Sequence, residues 1–138
     1  EFTAKKKKIK LTVNKDKGLL TKVIADKEKI EQVLTNLIDN SIKYGKDYGT
    51  TEIVIQSLNE DKIIVRVTDN GVGFKKENYT RIFERFFRVD RSGSRSAGGS
   101  GLGLAIVKHI IDAHDEKIYV ESEFGVGSEF SFTLEKSK

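Results

Sequence analysis

The chain contains no cysteine, no proline, no methionine and no tryptophan in its 138 residues. Without cysteine there is no disulfide, no zinc–thiolate centre and no thiol chemistry, which suits a reducing compartment. Two histidines are too few to make a metal-ligand cluster by themselves. No apolar run approaches the ~18 residues of a membrane span, and no signal peptide is expected. Lacking methionine, the chain has no translational start of its own. It reads as a fragment of something longer, with Glu1-Phe2 as a cloning scar and residues 1–7 as a linker or an added start. Charge of one sign is scarce too. The 25 basic residues face 21 acidic ones, for a net charge of +4 and a pI near 9.2. That mild excess suits a phosphate-bearing ligand and is poor grounds for expecting nucleic acid.

What is present suffices for one domain with a single core. Hydrophobic residues make up 37% and charged residues 33%, and Val, Ile, Leu and Phe recur periodically. A soluble globular domain is expected, not a disordered chain. The four consecutive lysines that open "KKKKIKLTV" read as a solvated strand end or linker, with a functional basic patch as the alternative. Ile9, Leu11 and Val13 then alternate as in a half-buried strand. "LLTKVIA" can hold a short strand, and Asp26 is placed to cap a helix. In that helix Ile30, Val33, Leu34, Leu37, Ile38 and, at the margin, Ile42 keep helical spacing until Gly45. "TEIVIQSL" and "KIIVRVT" read as a hairpin joined by "NED". "NYTRIFERFF" predicts a short helix and "GLGLAIVKHIIDAH" a longer one. "KIYVES", an "FGVG" turn and "SEFSFTL" predict a closing hairpin. Between the last two helices, "RVDRSGSRSAGGS" carries four serines, three glycines and three arginines, the composition of a long loop or lid. The order β-α-β-β-α-α-β-β predicts an α+β fold, with helices on one face of a mostly antiparallel sheet.

Three segments concentrate chemistry. On the first helix Gln32, Asn36, Asn40 and Lys43 fall within about 80° of one another. Two asparagines one turn apart offer neutral oxygens for hard Mg²⁺, and the lysine offers a charge for phosphate; an ordinary surface stripe is the alternative. In "GGSGLGLAIV" the glycines and a helix start can turn backbone N–H groups toward an anion. This segment is neither a dinucleotide fingerprint nor a P-loop, and a merely flexible helix entry remains open. In "TDNGVGF", Asp69 at a strand tip is a fixed acceptor for an exocyclic amine, with Gly71 and Gly73 keeping side chains out of the space beside it. Alone, that segment could be a turn or part of a calcium loop. Together the three supply the parts of an ATP site.

"NLIDNSIKY", "DNGVGF", "IFERFFR", "GGSGLGLAIVKHI" and "GVGSEFSFTL" resemble, in order and spacing, the N, first glycine, F, second glycine and third glycine boxes of the catalytic domain of bacterial sensor histidine kinases. The resemblance covers residues 8–135. It implies a single domain over 8–138 with the Bergerat (GHKL) fold, a two-layer α+β sandwich. A mixed, mostly antiparallel sheet of about five strands would pack against three helices, with an ATP lid over about 87–100. By the same resemblance Asn40 would hold Mg²⁺ with Asn36 beside it. Lys43 and Tyr44 would approach the phosphates or ribose. Asp69 would accept from the adenine amine, with Gly71 next to it and Gly73 near the base. Arg88 would reach the γ-phosphate, and Gly99, Gly101, Leu102 and Gly103 would line the triphosphate. Asn36, Lys43 and Arg88 would be the catalytic set. Phe83, Phe86 and Phe87 would anchor the lid and dock a partner domain, with core packing as the alternative.

The implied activity is transfer of the γ-phosphoryl group of Mg·ATP to a histidine on a separate dimerisation domain, with a response regulator downstream. No nucleic acid is implied, and the parent would be a membrane-bound homodimer carrying this domain on its cytoplasmic side. His109 and His114 lack the phosphoacceptor context, so the nucleophile and its base would lie elsewhere. An anti-sigma-type serine kinase, a conformational ATPase of the same fold and a degenerate nucleotide-binding module are the alternatives. Two departures stand out: no proline follows the first glycine box, and Asp115-Glu116 replaces a frequent glycine pair.

Overall fold

Odd-numbered residues of "KIIVRVTD" are apolar until the last, and this segment becomes the centre of the sheet. The computed structural model describes residues 9–15, 22–79, 81–84 and 103–137. Its strands are β1 (Lys10–Lys15), β2 (Val23–Ile24), β3 (Thr50–Ser57), β4 (Lys62–Asp69), β5 (Ile118–Glu123) and β6 (Gly127–Lys136); its helices are α1 (Lys27–Lys43) and α2 (Gly103–Ala113). The strands form one mixed sheet in the order β1-β3-β4-β6-β2, with β5 also paired to β6. Among the described strands only β1 and β3 run parallel; the β3/β4, β4/β6, β5/β6 and β2/β6 pairs are antiparallel. The expected mixed, mostly antiparallel α+β architecture is therefore present; the described residues supply six strands and two of the three expected helices.

The core lies between one sheet face and the two helices. Val33 and Leu37 of α1 and Val107, Ile110 and Ile111 of α2 pack against Ile53, Ile63, Val65, Val67, Phe130, Phe132 and Leu134. Full burial of such a side chain contributes about 1.5–3 kcal/mol. Asp26 caps α1 as expected, its carboxylate accepting from Lys29 N–H at 3.2 Å. The other end of α1 stops at Tyr44, whose N–H returns to Asn40 O.

One expectation changes at the sheet edge. Leu11 and Val13 share the core-side face with Ile53, yet they are 44% and 62% exposed. β1 sits at the sheet edge, outboard of the α1/α2 layer, so alternation there does not bring burial. Of the helix expected from "NYTRIFERFF", the described residues show the end of a 3₁₀ turn at Lys76–Asn78 and hydrogen-bonded turns at 81–84; Thr80 and residues 85–87 lie outside the described residues. Tyr79, Ile82 and Phe83 face the core, in keeping with their helical spacing. Phe83 meets Phe130 edge-on at 6.1 Å between ring centres, which for this residue is the core-packing reading. Phe86, Phe87 and the lid expected over 87–100 lie outside the described residues.

The Asp115-Glu116 departure has a structural role. Asp115 takes a left-handed backbone, φ +56, a conformation glycine adopts more cheaply. Glu116 then turns inward, where its carboxylate accepts from Lys62 Nζ and from Thr133 Oγ1, the latter at 2.7 Å. The bond to Glu116 raises the Lys62 ammonium above its ordinary range.

Candidate active site

At one end of the sheet the apolar columns stop together. Inward-facing Ile53, Val67, Phe130 and Val120 are each followed, one step further along the same face, by Thr51, Asp69, Ser128 and Ser122. These four stand side by side across β3, β4, β6 and β5 in ladder register. Thr51 Oγ1 also bonds Ser41 Oγ on α1. A row of short polar side chains thus replaces large apolar ones, and the bonded sheet holds it rigidly.

Asp69 is the acid in that row. It is 8% exposed, and among the described residues no cation pairs with it. Burial pushes its carboxyl above the ordinary carboxylate range; hydrogen bonds from the backbone N–H groups of Gly71 and Ser128 pull it partly back. The Gly71 bond measures 2.9 Å. A carboxylate held by amides and lacking a counter-ion is poised to accept from a ligand donor.

The glycines beside Asp69 let the loop pack closely against two neighbouring backbones. A Cβ on Gly71 would collide with the Tyr44 carbonyl and Gly45 Cα. Gly73 has φ +63, and a Cβ there would strike the Glu123 carbonyl. The loop is therefore pressed, backbone on backbone, between the end of α1 and the β5–β6 turn. Val72 N–H donates to Tyr44 O at 3.0 Å, and Gly125 N–H donates to Val72 O at 2.6 Å.

On α1, Asn36, Asn40, Lys43 and Tyr44 are all half-buried. Lys43 Nζ lies 5.5 Å from the centre of the Tyr44 ring. Asn36 Nδ2 donates to Gly103 O at 3.4 Å, which ties the asparagine face to the start of α2. Gly103 is exposed, and a Cβ there would meet no described atom within 4 Å, so its backbone is open to approach at the positive end of the helix. Arg88, Gly99, Gly101 and Leu102 lie outside the described residues. The contacts thus tie Asn36 to Gly103 at the start of α2, and the loop after Asp69 to Tyr44 at the end of α1.

Thr51, Ser122 and Ser128 were not expected at the site. Their signal was parity. Each keeps the two-residue period of its strand's inward apolar positions and breaks it with a hydroxyl. His114 belongs to the scaffold: its Nε2 accepts Asp26 N–H at 3.1 Å while Nδ1 bonds Ile110 O at 2.8 Å, so it joins the end of α2 to the start of α1.

Residues 25–138 match the family described as histidine kinase-, DNA gyrase B- and HSP90-like ATPase. The catalytic domain of the histidine kinase ThkA, in a nucleotide-free form, is 31% identical and superposes with a TM-score of 0.80 over 99% of this chain and 86% of that one. The chain belongs to this family, as a catalytic domain of the histidine kinase type. Full-length ShkA, solved with AMPPNP, is 28% identical with a TM-score of 0.84, covering 98% of this chain and 27% of that one. The sensor histidine kinase WalK of Bacillus subtilis is 40% identical over 110 residues, which are 79% of this chain and 18% of WalK. The chain spans between 18% and 33% of the length of such curated relatives.

Proposed function

We propose that this domain binds Mg·ATP and donates the γ-phosphoryl group to a histidine on a separate dimerisation domain of its parent, a two-component sensor kinase acting on a response regulator. The observation that carries the reading is the buried Asp69 carboxylate, unpaired by any described cation, in a row of short polar side chains that meets α1 through the Thr51–Ser41 bond. Asp69 accepts from the adenine amine, with Gly71 and Gly73 fixing the loop around it. Asn40, with Asn36 beside it, fits Mg²⁺. Both are hard neutral oxygen donors, and a Mg²⁺ that rides in with phosphates needs only one or two protein ligands. When bound, the ion supplies charge neutralisation at the phosphate oxygens. Lys43 and Tyr44 approach the phosphates or ribose, and Arg88 reaches the γ-phosphate. Gly99, Gly101, Leu102 and Gly103 offer backbone N–H groups at the α2 start.

The chain's own contribution is positioning and charge compensation, while the imidazole nucleophile and its base come from the partner domain. Among the described residues no helix is long and apolar enough to cross a membrane; the cytoplasmic placement and membrane-bound homodimeric parent belong to this proposal. Calorimetric titration with ATP, with and without Mg²⁺, tests it. Mg²⁺-dependent binding that collapses in Asp69→Asn is expected, followed by phosphorylation of an added dimerisation domain. Arg88→Ala should reduce that transfer more than ATP affinity; equal losses would remove its catalytic role. A folded protein that binds no ATP would leave only a degenerate module.

A further inference from the structure

The polar row ends at Ser122, whose hydroxyl is saturated. Phe74 N–H donates to Ser122 Oγ at 2.8 Å, Ser122 O–H reaches Gly127 O at 3.0 Å, and Ser128 Oγ lies 2.8 Å away. A serine hydroxyl has one proton and two lone pairs. The Phe74 amide can only donate and the Gly127 carbonyl can only accept. The arrangement that satisfies every contact therefore has Ser128 donating its proton to Ser122. Ser128 stands directly opposite Asp69 in the ladder, on the same face and at cross-strand pairing distance. With its proton turned to Ser122, Ser128 shows only lone pairs to the space beside Asp69. Released from Ser122, the same hydroxyl could rotate and donate to the carboxylate.

The Ser122 backbone is clamped as well. β5 pairs with β6 alone among the described strands, so its far edge has no partner strand. Tyr79 takes that place with a single oxygen. Its O–H donates to Ser122 O at 2.6 Å and its Oη accepts Ser122 N–H at 2.6 Å. The Tyr79 ring is itself held edge-on against Phe74, 5.5 Å between centres.

We infer that Ser122, clamped by Tyr79, is a positioning residue for nucleobase selection: by taking the Ser128 proton it sets two acceptors side by side, the Asp69 carboxylate and Ser128 Oγ. Such a pair favours a purine bearing an amine at its six-position. It rejects one bearing an oxo group there, whose lone pairs would face two acceptors. The inference rests on the reading of this site as a nucleotide site.

ATP and inosine triphosphate differ at that position, and their dissociation constants, measured by calorimetry with Mg²⁺, form the test. Wild-type protein should prefer ATP. Ser122→Ala should narrow the ratio of the two constants by about tenfold, the scale of one misdirected hydrogen bond. Ser122→Thr, which keeps the hydroxyl, should restore the ratio, and Tyr79→Phe should narrow it by a smaller factor. Should Ser122→Ala fail to fold, Tyr79→Phe carries the same comparison. An unchanged ratio, including an equal loss of both affinities, overturns the positioning role while leaving the nucleotide reading intact. A wild-type protein that binds neither nucleotide overturns that reading and the inference together.

Discussion

Gly73 combines a positive φ with a carbonyl where its side chain would be, so Gly73→Ala has no cheap accommodation. It should lower unfolding free energy by at least about 1–3 kcal/mol, measured by urea denaturation, and weaken ATP binding because the loop carrying Asp69 shifts with it. A substitution without effect on either would mean that the loop is not locked between α1 and the β5–β6 turn. Asp69 makes an opposite demand. Burial raises its folded pKa, so the folded state holds the proton more readily than the unfolded one. Its contribution to stability is fully present below the unfolded pKa and is lost as pH rises through the folded value. ATP affinity should run the other way. It falls on acidification through a pH above that of an ordinary aspartate, because only the carboxylate accepts from the amine. Titrations from neutral to acid pH check this; a curve matching an exposed aspartate would remove the effect of burial. The acid at the strand tip was legible in sequence. The work of its glycines was not, because it depends on Tyr44, Gly45, Glu123 and Gly127, which only the fold brings near.

Among elements, α1 was the most legible. It has a capping aspartate, a sustained apolar period and a terminating glycine, and all three agree with its observed ends. The central hairpin was legible for the same reason, since one face of it is buried throughout. β1 is where the period of the sequence does not prove the environment. Alternation in β1 is real, but the helix layer does not reach it; the spacing of Tyr79, Ile82 and Phe83 does put all three against the core. The α1–α2 contact holds one pairing that sequence could not disclose. His114, which lacks the phosphoacceptor context, supplies the acceptor for Asp26 N–H. Its replacement by alanine should cost about 1 kcal/mol of stability and speed amide exchange at the start of α1. Hydrogen exchange that stays unchanged at Asp26 would count against the clasp.

At the scale of the whole molecule, β1 lies at one edge of the sheet and β2 at the other, so the chain passes between opposite edges before α1 begins. Topology of this kind leaves no mark on local periodicity, and the parallel β1/β3 pairing was not foreseen. The site inherits its rigidity from the long central strands, while the edges bear none of its proposed ligands. β1 buries little, and its apolar side chains remain largely in water. Its value lies in what it hides: the open backbone edge of β3, beside Ile53, Val54 and Ile55. An uncovered strand of that composition templates pairing with other chains, whereas Lys10 and Lys15 flank the outermost strand that nature left exposed. A protein shortened to begin after β1 should keep its helices yet associate as its concentration rises, visible by light scattering; a shortened protein that stays monomeric would show that β3 needs no such guard.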